Sequence, residues 1–232
     1  MRVQACLLAG VSALAASQLL AAGGAAQAAA AKPVPVEVRV NQVGYSSDGD
    51  KVATSIETMR PDLVALSISP EELETLRTYR GGNLEPETTE DEVYVAGLSA
   101  WEEPVMPPPC FTRAVKSAAV RKVRLEAVDM DEASYTDAYT ASVSTMELIL
   151  QGRLENRLLK KRFKVSTPQD FALAWDAEIN RTVGFARLQK ERERFIASRL
   201  RDLAQGTTKV LAVVEVERVK GVLAELGGQR PT

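Results

Sequence analysis

The chain has 232 residues, a net charge of −2 and an apolar content of 45%, which suits one globular domain carrying a leader or a small appendage. Without a basic excess the composition argues against a nucleic-acid-binding surface. There is no histidine, so the commonest metal ligand and the usual general base are both missing.

Arg2 gives a short positive start, residues 5 to 22 are almost wholly apolar and small, and Ala26-Gln27-Ala28 fits a small-x-small exit. This pattern predicts a cleaved signal peptide over residues 1–28, and hence a secreted or periplasmic mature chain beginning near Ala29 with no membrane span left. N-terminal sequencing of the exported protein checks this, and retention of Met1 would exclude it. Cys6 leaves with the leader, so Cys110 is alone and no internal disulfide forms.

Residues 29–55 read as an extended linker and a short β segment. Pro33 and Pro35 stiffen the entry, Val36, Val38 and Val40 alternate with polar residues as in a half-buried strand, and Gly44 with residues 46–50 predicts a turn. Lys51 to Thr54 is expected to begin a second strand. A segment this short owns no core, so a chain starting at Lys51 is expected to keep most of its stability.

From residue 56 onward the pattern predicts an α/β domain reaching 232, with a mixed or mostly parallel sheet flanked by helices. Leu63 to Ile68 is a continuous apolar run, the mark of a buried parallel strand. Ser69-Pro70-Glu71-Glu72 starts a helix with a serine cap, an early proline and acids against the dipole. Asn83 to Asp91 reads as a solvated loop, and Pro104 to Pro109 as an irregular segment leading to Cys110. Residues 123–129 form a strand, Thr140 to Lys161 one helical region, and Pro168 to about Thr182 a further helix. The next helix, Phe185 to Ala204, puts Phe185, Leu188, Phe195, Ile196, Leu200 and Leu203 on one face. Lys190 to Arg194 reads as its solvated charged face. Lys209 to Val214 is the clearest buried strand, and Val219 to Leu226 the last helix.

Two resemblances follow from these residues. Arg60-Pro61-Asp62-Leu63-Val64-Ala65-Leu66, Val128-Asp129-Met130-Asp131, Glu191-Arg192-Glu193-Arg194-Phe195-Ile196-Ala197, Lys209 to Val214 and Val219-Lys220-Gly221-Val222, taken in order, resemble the TraB family over about residues 56–226. That group includes the pheromone-shutdown proteins and, more distantly, the Tiki proteases. Val38-Arg39-Val40-Asn41-Gln42-Val43-Gly44-Tyr45 with Lys51-Val52-Ala53 resembles the start of the immunoglobulin-like module of family-nine glycoside hydrolases (cellulases), which points to carbohydrate association.

The TraB resemblance implies a metal-dependent hydrolase site, but the residues depart from it there. Ser67 stands where the family strand ends on glutamate, and Glu215-Val216-Glu217-Arg218 replaces a Gly-Ala-Gly-His turn. The expected function is therefore an exported binding or regulatory domain, a pseudoenzyme with a peptide or protein partner. The enzyme alternative is a carboxylate hydrolase in which Asp129, Asp131 and Glu191 act catalytically and hold a hard cation, magnesium or calcium. Zinc would be held poorly by oxygen ligands alone. Read locally, the same three acids serve as a helix cap and in surface ion pairs.

Overall fold

The computed structural model describes residues 36–38, 45–86, 88–158 and 160–227. The expected leader, most of the linker and residues 39–44 of the cellulase-like block, with Val40 of the expected strand, lie outside the described residues. Helices flank a small parallel sheet, as the α/β expectation requires. Three strands form its centre: β2 (Leu63–Leu66), β3 (Arg124–Ala127) and β4 (Val210–Val213). β2 lies between the other two, with Leu63 opposite both Arg124 and Val210. The backbone of β1 (Val36–Val38) runs parallel to β4 at the sheet edge.

Strand side chains alternate between the two faces, and both faces are covered. Leu63, Ala65, Val210 and Ala212 pack against Ile196, Ala197 and Leu200 of α8 (Val183–Ala204) and Val222 of α9 (Val216–Glu225). Val64, Leu66, Leu211 and Val213 pack against α1 (Ser46–Met59), α2 (Pro70–Thr78) and α4 (Pro109–Arg121) through Ile56, Leu73 and Phe111. This double coverage is why β2 and β4 read as unbroken apolar runs. Beside the sheet, α3 (Thr89–Leu98), α6 (Thr145–Leu158) and α7 (Pro168–Ile179) share a further core around Leu98, Leu154, Phe171 and Trp175.

Several boundaries differ from the sequence expectations. Residues 46–54, read as a turn and a strand, belong to α1. A three-residue alternation is too short to set a strand, whereas Val52 and Ile56, four apart, supply a helical face that enters the core. The helix approaches α4 closely because Gly49 has no side chain: a Cβ there would lie 2.7 Å from Arg113 Cγ and 2.9 Å from the Pro109 carbonyl. The domain start expected at residue 56 thus falls inside one continuous helix. Tyr45, at its N-cap, is buried and donates a hydrogen bond to the Leu98 carbonyl at 2.7 Å. A chain beginning at Lys51 is now expected to lose about 2–3 kcal/mol from that aromatic burial and hydrogen bond, measurable as a lowered urea midpoint.

The loop expected to reach Asp91 ends earlier, because Thr88 caps α3 by accepting from Asp91 N at 3.1 Å. The single helix expected over 140–161 is two: α5 (Glu132–Ser142) and α6. Between them Ser144 and Glu147 form a capping box, with Ser144 N donating to the Glu147 carboxylate at 3.0 Å. Cys110 lies in the first turn of α4, not in the proline-rich loop, and is fully buried. Burial pushes its thiol well above the ordinary range, which makes it an inert core residue. No helix among the described residues is long and apolar enough to cross a membrane.

Candidate functional site at the carboxyl edge of the sheet

Parallel strands send all their C-terminal ends to one edge. From β2 the chain moves outward to β3, then returns past β2 to β4. The order therefore reverses between β2 and β4, and in open α/β sheets the crevice outside such a switch point is where ligands bind. Three turns converge there: Ser67–Ser69 after β2, Val128–Asp131 after β3, and Val214–Glu217 after β4.

The crevice is filled by ionic side chains. Asp129, mostly buried, follows β3, and its backbone N–H is held by the Ile68 carbonyl at 3.1 Å. Its carboxylate accepts from Arg192 of α8, with Nε 3.2 Å from Oδ2 and Nη2 in direct contact with the same oxygen. Arg192 also donates from Nη1 to Gln189 Oε1 at 3.1 Å and lies 4.0 Å from Glu215 Oε2. Burial disfavours the charge on Arg192, but Asp129 and Glu215 more than offset it and raise its pKa above the ordinary value.

Glu215 and Ser67 join the ends of β4 and β2. The Ser67 hydroxyl accepts from Glu215 N at 3.2 Å and donates to Glu215 Oε2 at 3.4 Å. Burial pushes the Glu215 carboxyl up to about 8; Arg192 pulls against this and Asp129 adds to it. Glu217 is pushed up to about 7, again chiefly by burial, and accepts from the Tyr94 hydroxyl at 3.3 Å.

A second guanidinium sits one turn into α9. Arg218, whose side chain is 5% exposed, contacts Asp176 of α7 and donates to Glu193 of α8 at 3.3 Å. Asp176 also accepts from Asn180 Nδ2 at 2.8 Å, and Gln189 donates to Asn180 Oδ1 at 3.0 Å. The two arginines are thereby joined through one hydrogen-bonded network. Gly221 makes room for it, since a Cβ there would lie 2.0 Å from the Glu193 carboxyl.

Of the three acids singled out in the sequence, only Asp129 enters this network. Asp131 caps α5, accepting from Ser134 N at 2.7 Å. Glu191 lies on the outer surface of α8 and pairs with Arg194 at 2.7 Å. Among the described residues no group of three or more Cys, Asp or Glu side chains is placed to hold a metal, so the three acids do not fit a magnesium or calcium centre.

Sequence reasoning missed Arg192, Glu193, Glu215 and Arg218 as inward-facing groups. Arg192 and Glu193 were assigned to the solvated face of α8, yet both turn toward the crevice. One signal was available: Arg192 is four residues from both Leu188 and Ile196, and Glu193 is four from Ala197, so both fall within the apolar stripe. In the cellulase-like block, Tyr45 is a core side chain. Comparison with protein-family models, curated proteins and solved structures finds no match to this chain.

Proposed function

We propose that this chain is an exported TraB-like domain that binds a peptide or protein partner without hydrolysing it. The observation that carries this reading is the pair of guanidinium groups, Arg192 and Arg218, seated among carboxylates in the switch-point crevice. A metallohydrolase needs an open cation position there with room for water. A divalent ion about 4 Å from one guanidinium meets roughly 8 kcal/mol of Coulomb repulsion at an effective dielectric near 20. Ser67 and Glu215 support the same reading. The acid that the family resemblance puts at the end of β2 is supplied instead from β4, and it is bonded to the serine.

The partner class rests on Trp101, an exposed ring packed on the aromatic core of α3 and α7. Tyr94, hydrogen-bonded to Glu217, lies 5.9 Å from the Trp175 ring, and the partly exposed Trp101 lies 6.1 Å from Phe171. Tyrosine and tryptophan with a polar neighbour are the residues that interfaces enrich. Screening the protein on an array of unstructured peptides tests this: specific retention that falls with Trp101→Ala is expected, and no retention of any peptide would count against it.

A second reading, an acid–base hydrolase, draws on Glu215, whose carboxyl holds its proton near neutral pH. Incubation with the same peptides in magnesium, calcium or zinc, followed by mass spectrometry, separates the two. Intact peptides, and no stoichiometric metal after dialysis, are expected. Metal-dependent cleavage lost in Asp131→Ala or Glu191→Ala would overturn the binding reading. Metal-independent cleavage lost in Glu215→Gln would establish the acid–base one.

A further inference from the structure

At the opposite edge of the sheet, α1 and α4 end side by side and leave an open groove of about 630 Å3 whose charged lining is Glu57, Arg60, Arg113, Lys116 and Arg121. Four of these side chains are cationic and one is acidic. Arg113 reaches Asp50 at 3.3 Å and Arg121 reaches Glu57 at 3.3 Å, both as exposed surface pairs that a stronger anion can displace at little cost. Among the described residues no carboxylate pairs with Arg60 or Lys116. Between the cations the apolar surface is the 83%-exposed Val120 with the half-buried Val123, above the buried Ile56 and Pro61.

The backbone adds an independent sign. Arg60 caps α1 in the left-handed conformation, φ 48 and ψ 61, and Lys122 caps α4 at φ 56. Glycine is the usual residue at such a cap, and Arg60 also precedes a proline, where extended backbone is favoured. Arg60 thus keeps a long cation, where glycine would fit without strain, at the rim of the groove.

We propose that this groove binds a small amphiphile with a phosphate head. Three guanidinium groups and Lys116 supply the charge and the N–H donors that a phosphate takes, Val120 and Val123 face the chain, and the volume suits a small organic ligand. The site is separate from the carboxyl-edge crevice and stands or falls without it.

Isothermal titration of the full chain with octyl phosphate, below its micelle-forming concentration, tests the proposal. One molecule is expected to bind per chain, while octyl glucoside does not bind and inorganic phosphate binds at least about tenfold more weakly. Arg60→Gly combined with Lys116→Gln is expected to weaken binding by about tenfold or more, while Arg60→Gly alone leaves the melting temperature unchanged or higher. Val120→Asp, at an exposed position, gives a second loss of binding without unfolding, and Arg80→Gln on a remote loop changes nothing. Absence of saturable binding, equal binding of octyl glucoside, equal binding of inorganic phosphate, or wild-type affinity in both groove variants would each overturn it.

Discussion

Arg218→Ala is expected to be the most damaging single substitution at the carboxyl edge, lowering stability by about 3 kcal/mol or more. The arginine is almost wholly buried, and its removal strands two carboxylates, Asp176 and Glu193, that meet it from α7 and α8. Losing one partner of a buried pair costs more than replacing the whole pair, because the remaining charge is left desolvated. Adding Glu193→Gln and Asp176→Asn to the alanine variant is therefore expected to recover part of the loss. Urea titration of the single and triple variants checks both statements. A loss below about 1 kcal/mol, the range of exposed pairs, would show that water reaches these groups. Glu217→Gly with Arg218→His, which restores two residues of the resembled family, is expected to destabilise the chain for the same reason.

Stability is expected to fall as pH rises from about 5 to 8. Glu215 is held at about 8 and Glu217 at about 7, against 4.5 for an ordinary glutamate. Between those values the folded chain binds protons that the unfolded chain has released. The stabilisation is complete below about pH 4.5 and is lost by the time pH passes the folded values. Each retained proton gives a slope of at most about 1.4 kcal/mol per pH unit, so the two groups together lower stability by about 6 kcal/mol over the window. Glu215→Gln keeps the neutral form and its hydrogen bonding at every pH. It is expected to flatten the profile and to exceed the parent in stability at pH 8. Urea midpoints at pH 5, 6, 7 and 8 decide it. Identical profiles for parent and variant would mean that Glu215 is ionised and paired with Arg192.

The strands were the most legible part of the fold. Leu63 to Leu66 and Val210 to Val213 are unbroken apolar runs because they are covered on both faces. Helix starts with a complete local signal were also legible. Ser69 with Glu72 closes a capping box, and Thr167 before Pro168 accepts from Asp170 N at 3.1 Å. The helix face of α1 was hidden by glycine and three polar residues in its first turn, and its packing partner α4 follows only after two further helices. The Ser144 cap that divides α5 from α6 has the form of a capping box, but it falls inside a pattern that continues as helix on both sides.

The crevice was legible only in its parts. The residues alone show that no imidazole is present, that acids follow the segments of β3 and β4, and that α8 and α9 carry arginines. They also show that strands alternate with helices, since hydrophobic period and caps are local properties. Which charges meet is set by the fold. Asp129 and Arg192 are 63 residues apart, and Asp176 and Arg218 are 42 apart; their pairing depends on the parallel order that gathers the ends of β2, β3 and β4 at one edge. Asp131 and Glu191 stayed local, as a cap and a surface pair, because each found a partner three residues away along its own helix. Charge type is written in the chain, but the desolvation that gives Glu215 its raised carboxyl, and two guanidinium groups their carboxylates, arises only when helices close over the sheet edge.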